Sequence, residues 1–122
     1  MRILFSGMIA AGLLTNQLAA AAECVRPADH AALDVAGLKS QLMVTAITCH
    51  AQDRYNAFVN KFRSELQSEE RMEQTYFTRT YGRTATKRHD DYTTQLANAK
   101  SQSGLQAGNR FCDHNLGVFD EV

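Results

Sequence analysis

Asp53-Arg54-Tyr55-Asn56-Ala57-Phe58-Val59-Asn60-Lys61-Phe62-Arg63-Ser64-Glu65-Leu66 is the stretch that decides the fold class. Tyr55, Phe58, Val59, Phe62 and Leu66 recur at i, i+3, i+4, i+7 and i+11, which is one face of a 3.6-residue period. Asn56, Asn60, Lys61, Arg63 and Gln67 take the opposite face. Asp53 is placed to cap the start, because its side chain can accept from free backbone N–H groups. The pattern predicts an amphipathic helix with a partner for its apolar side.

The same periodicity extends outward. Upstream, Val35, Leu38, Leu42, Thr45 and Cys49 form one stripe of a helix expected over 29–49. Gly37 weakens its early part by about 1 kcal/mol relative to alanine, so a bend or a late start is expected there. His50-Ala51-Gln52 reads as a connection or as a continuation of the helix. Downstream, Ser68-Glu69-Glu70-Arg71 begins a third helix whose acidic first turn suits the positive helix end. Met72, Tyr76, Phe77 and Tyr81 form its apolar side, and Gly82 interrupts it. From Arg83 to Gln102 the pattern resumes, with Ala85, His89, Tyr92, Leu96 and Ala99 on one face. Ser103-Gly104 is the expected stop, since glycine readily adopts the left-handed helix-ending conformation. Residues 105–112 read as a short last helix, and 113–122 as a loose tail whose Leu116, Val118 and Phe119 can still dock. No β-type alternation occurs. The expected fold is all-α: a helical bundle of three to five helices in one domain over 23–112.

The beginning of the chain reads as a cleaved leader. Met1-Arg2 is positive, Ile3 to Leu14 is mostly apolar, and Ala20-Ala21-Ala22 fits an A-x-A cleavage site. The apolar run falls short of the roughly 20 residues of a membrane span. Cleavage after Ala22 would leave 100 of the 122 residues and remove Arg2, giving 12 basic residues against 13 acidic ones. Such balance argues against a general nucleic-acid binder, which carries a basic excess. Cys24 sits near the new N-terminus, but Glu23 stands where lipid attachment needs a small residue. No lipid anchor is expected. The implied address is periplasmic or secreted.

Export makes the three cysteines disulfide partners first. Cys24–Cys49, Cys24–Cys112 and Cys49–Cys112 are all open by spacing. Cys49 lies in an apolar helical run and Cys112 follows Phe111, so both look core-facing and Cys49–Cys112 is the favoured pair. Cys24 would then be free or would link two copies into a dimer.

Three polar constellations carry candidate chemistry. Arg79, Tyr81, Arg83 and Arg88, with Lys87, make a basic and aromatic stretch able to grip an anionic ligand through forked arginine hydrogen bonds. The alternative is that these cations pair with acids such as Glu65, Glu69 and Glu70. His89-Asp90-Asp91 is the densest polar group, yet neighbours on a helix point about 100° apart and do not converge. Lys87 with Asp91 is an ordinary ion-pair spacing. His50 and His114 flank the favoured disulfide, which makes them the sharpest metal candidates. C-x-x-C-H, C-x-x-C, G-x-S-x-G, the Walker loop and G-x-G-x-x-G are all missing. No cofactor is expected and no catalytic residue is singled out.

The segments L-M-V-T-A-I-T-C (42–49), Y-x-x-F-V-x-K-F (55–62), Y-F-x-R-x-Y-G-R (76–83), H-D-D-Y (89–92) and F-C (111–112) together resemble small exported helical proteins of alphaproteobacteria with no assigned function. The resemblance spans about residues 38–112. It implies bacterial export and a helical domain held by the last two cysteines, and supplies no activity. The function expected is a non-enzymatic binding or interaction module of the bacterial envelope, with an envelope protein or an anionic ligand as partner. The alternatives are a small metal-dependent hydrolase using His89, Asp90 or Asp91, or His50 with His114, and a periplasmic stress chaperone. Four histidines and 13 carboxylates would drive the chaperone's charge change at low pH.

Overall fold

The computed structural model describes residues 25–122. The leader, Glu23 and Cys24 lie outside the described residues. Four helices of ten residues or more carry the fold: α1 (Pro27–Thr48), α2 (Gln52–Lys61), α3 (Arg63–Tyr81) and α4 (Ala85–Ala107). Two short ones follow, α5 (Arg110–Asn115) and α6 (Val118–Glu121). The described residues contain no strand. Helices α1, α3 and α4 pack on one another as a bundle, and α2 packs along α1. No described helix is long and apolar enough to cross a membrane.

Pro27 opens α1 at the first helical position, where a missing N–H costs nothing. The helix therefore starts two residues before the expected Asp29, and Asp29 falls in its first turn. Helix α1 runs through Gly37 without a break. It ends in a Schellman turn: His50 takes a left-handed φ of 54°, and the Ala51 N–H donates to the Ala46 carbonyl at 2.8 Å. His50 is thus the residue that ends the helix.

The decisive stretch is helical but divided. Phe62 has φ −108° and ψ 25°, so α2 stops at Lys61 and α3 starts at Arg63, well before the expected break at Ser68. Phe62 N–H still donates to Phe58 and Leu66 N–H to Phe62, so the two helices follow one another through a one-residue kink. Phe58 is buried and packs on Phe62, with ring centroids 5.5 Å apart.

Gly82 interrupts α3 as expected, with φ 54°, and a single 3-10 turn over Gly82–Thr84 leads into α4. Ser103-Gly104 does not stop α4. The helix continues to Ala107 and ends at Gly108, whose φ is 57°. Gly104 serves packing instead. A Cβ there would sit 3.3 Å from two atoms of the buried Phe111 ring, so the ring lies against bare backbone.

Residues 113–122 differ from the expected loose tail. They finish α5 and form α6, which packs on α2. Arg54 donates to the Leu116 carbonyl at 3.3 Å and Lys61 to the Val122 carbonyl at 3.2 Å. Cys49 and Cys112 form the expected disulfide, with Cα atoms 5.7 Å apart. It joins the end of α1 to α5.

Candidate functional site

The favoured anion-binding arginines are placed in different surroundings. Arg79, at the end of α3, bonds the carboxylate of Asp29 in the first turn of α1. Asp29 is buried, so this pair fastens α3 to α1. Arg88 lies over the Tyr81 ring at 5.5 Å, a stacking geometry. Lys87 bonds Asp91 at 2.6 Å, one helical turn away. Arg83 is exposed in the turn and Asp90 is exposed on α4. Of the two readings of this stretch, an anion-gripping surface or cations paired with acids, Arg79 and Lys87 follow the second, with Asp29 and Asp91 as their acids, while Arg88 stacks on Tyr81.

The metal candidates are also separated by role. His50 follows Cys49 at the end of α1 and His114 sits in α5, both exposed on either side of the disulfide. Among the described residues, no group of three or more His, Cys, Asp and Glu side chains stands close enough to hold a metal ion. His89 turns away from Asp90 and Asp91, because its face of α4 is the inner one. Its Nε2 lies 3.2 Å from Glu73 Oε1 of α3, and its ring meets Phe77 edge-on at 5.1 Å.

That pair lies in the wall of a cleft of about 240 Å³ between α1, α3 and α4. Val35 and Met43 of α1, Leu66 of α3 and Leu96 of α4 supply apolar walls. Lys39, Glu69, Glu70, Glu73 and His89 supply charge. Burial pushes the Glu73 carboxyl above its usual range, and the His89 ring opposes that shift. Burial likewise raises Tyr55, on the α2 side of the cleft.

Two residues of the cleft lining each carry a sealed polar atom with no partner. Ser40 Oγ and Glu69 Oε2 are both buried without a hydrogen bond. Ser40 is only 8% exposed. A buried unpaired polar group destabilises a fold by about 1–3 kcal/mol, so such groups need a reason. Thr45 Oγ1 is unpaired as well, but it is sealed in the core and does not line the cleft.

Ser40, His89 and Glu73 share this cleft, and a serine nucleophile with a histidine base and an acid is a hydrolytic set. The contact that activates such a nucleophile is not made here, since Ser40 Oγ bonds nothing. The cleft presents charged and apolar side chains to a guest.

The sequence placed His89 on the inner face of its helix but did not place the cleft. Glu69 and Glu70 read as helix-start acids, and Glu73 as a lone acid among basic residues. A signal was present in the spacing. Leu66, Glu70, Glu73 and Phe77 follow at four, three and four, so two carboxylates share a stripe with two apolar residues. An acid on an inward stripe needs a partner.

Comparison with known proteins finds no matching family model, no similar curated protein and no similar solved structure.

Proposed function

We propose that the chain is an exported, non-enzymatic binding module of the bacterial envelope whose ligand site is the cleft between α1, α3 and α4. The observation that carries this is the cleft itself, of about 240 Å³, whose wall sets Val35, Met43, Leu66 and Leu96 beside Lys39, Glu69, Glu70, Glu73 and His89. Small-ligand sites combine apolar walls with a few placed polar groups in this way. Export rests on the leader at residues 1–22 and is supported by the Cys49–Cys112 disulfide, a bond that persists in oxidising compartments. The divided arginines make the anion-binding face the weaker candidate, because Arg79 is committed to Asp29.

Expression of the full sequence with fractionation and mass measurement tests the address. The expected product begins at Glu23 in the periplasm or medium; a product retaining Met1 in the cytoplasm overturns export. A thermal-shift screen with small cations, anions and neutral amphiphiles tests the cleft. At least one class is expected to raise Tm, because a ligand at about one hundred times its Kd stabilises by about 2.7 kcal/mol. Thr93→Trp places a large ring at the exposed cleft rim and is expected to abolish that shift. No shift from any class, or a shift unchanged in Thr93→Trp, overturns the cleft as the site.

A further inference from the structure

We propose that the chain holds a second ligand site, an aromatic groove edged by Arg88 that takes a small aromatic carboxylate, with the guanidinium donating to the carboxylate and tyrosine rings flanking the body. This does not depend on the cleft between α1, α3 and α4.

The groove lies where α3 and α4 meet the Gly82–Thr84 turn. Phe77 is its floor and is only 5% exposed. The rings of Tyr76, Tyr81 and Tyr92 stand around it, with centroids 5.3, 5.6 and 5.5 Å away. Tyr81 is exposed, and Tyr76 and Tyr92 are half-buried. The Tyr92 hydroxyl donates to the Leu33 carbonyl at 3.4 Å, which ties this wall to α1. Together with Arg88 these rings line a groove of about 230 Å³.

The head group follows from the charges. Arg88 and Asp91 are the charged side chains of the lining. Asp91 is bonded to Lys87 at 2.6 Å. Arg88 joins no ion pair among the described residues. The acids whose charge reaches Tyr92, Glu73 and Asp34, are bonded to His89 and His30. Arg88 is exposed and lies over the Tyr81 ring at 5.5 Å. Stacking engages the face of a guanidinium and leaves its N–H donors, which lie in the plane, for another partner. That planar fork matches the two oxygens of a carboxylate. One unmatched cation calls for a singly charged anion.

The rings select the body. Aromatic groups favour offset or edge-on partners and gain from them beyond the area they bury. The volume of about 230 Å³ sets the size. A cavity of about 150 Å³ holds benzene, and drug-sized ligands occupy about 300 Å³ or more. One ring on a short arm lies between the two.

Calorimetric titration with phenylacetate, phenethyl alcohol, phenethylamine and cyclohexylacetate tests this. The first three differ at the head, and the last differs from phenylacetate only in its ring. Phenylacetate is expected to bind at least about tenfold more tightly than phenethyl alcohol, the worth of a charge-assisted hydrogen bond. It should bind about twofold to tenfold more tightly than cyclohexylacetate, and phenethylamine should give no heat. Arg88→Gln, at an exposed position, is expected to weaken phenylacetate by at least about tenfold and to spare phenethyl alcohol. Tyr81→Leu is expected to weaken both. Thr93→Trp, at the rim of the other cleft, is expected to leave all four titrations unchanged. If phenethyl alcohol or phenethylamine binds as well as phenylacetate, the carboxylate is overturned. Equal binding of cyclohexylacetate overturns the aromatic body. If phenylacetate gives no heat, or binds equally well to the parent and to both groove variants, the groove is overturned. Phenylacetate binding that survives Arg88→Gln and is lost in Thr93→Trp assigns the anion to the cleft and overturns the second site.

Discussion

At one end of the bundle, Cys49 is bonded to Cys112, the Phe111 ring lies on the backbone of Gly104, and α6 packs on α2. At the other end, α3 turns into α4 through Gly82–Thr84, and the fastening is Arg79 on Asp29 with Phe77 among Tyr76, Tyr81, His89 and Tyr92. The first end is held by a covalent bond and close packing. The second is held by charge and rings. The cleft lies between them, so its shape depends on both. The contrast teaches that the two ends respond to different agents: reductant for one, salt and charge-removing substitution for the other.

The largest expected effect is at the covalent end. Cys49→Ser with Cys112→Ser opens a loop with a sequence separation of 63. The chain-entropy account puts the loss at about 4 kcal/mol, within the usual range for native disulfides. Denaturant unfolding with and without reductant measures it. A double variant as stable as the parent would show that packing alone holds this end.

Next is the charged end. Asp29→Asn keeps the shape and removes the charge that Arg79 meets. Truncating a fully buried ion pair is expected to lose about 3–5 kcal/mol, but Arg79 keeps 37% of its side chain exposed, so about 1–3 kcal/mol is expected here. The loss should shrink at high salt, whereas the loss from the cysteine variants should not. Urea unfolding at two salt concentrations reads both. Equal salt dependence of the two would erase the distinction between the ends.

The smallest effect belongs to the cleft wall. Burial raises the Glu73 carboxyl above its ordinary value of 4.5. Between that value and the raised one, the folded chain holds a proton that the unfolded chain has released. Its contribution to stability is therefore full below the window and is lost as pH rises through it. Glu73→Gln cannot ionise and should remove that slope. Melting curves for parent and variant from about pH 4 to 8 give the difference. A difference that is constant with pH would show that the Glu73 carboxyl titrates in the folded chain as it does in the unfolded one.

The two ends were not equally legible in sequence. The interruption at Gly82 and the inward placement of Leu42, Thr45, Phe77 and His89 followed from glycine chemistry and periodicity, whereas Ala32, Ser40, Val44 and Ala46 are buried off the expected α1 stripe and Tyr81 and Ala99 are exposed on theirs. The partner of Cys49 came from apolar neighbourhood, which burial in the fold bears out for Phe111 and Thr45. Phe62 gave no warning of a kink, because one residue leaving helical dihedrals disturbs neither the stripe nor the local propensity. Gly104 misled for a physical reason: glycine ends helices when it takes a positive φ, but it also admits a ring against the backbone. Sequence cannot distinguish those uses without knowing where Phe111 goes. The cleft was hidden for the same reason. Ser40, Glu69, Glu73 and His89 come from three helices, and their meeting is a product of packing. The acids on the Leu66–Phe77 stripe were the one trace visible beforehand.

The seat of Phe111 on Gly104 also bears on which disulfide forms when the chain is oxidised. Three thiols compete for two places, and Cys24 is only 25 positions from Cys49 whereas Cys112 is 63 away. Loop closure alone favours the nearer partner by roughly 0.8 kcal/mol. Docking of one aromatic ring onto one bare stretch of helix, next door to Cys112, supplies the opposing preference. Selection between the thiols thus belongs to a residue that carries no sulfur. A side chain at Gly104 would put correct pairing at risk during oxidative folding as well as disturbing a finished helix.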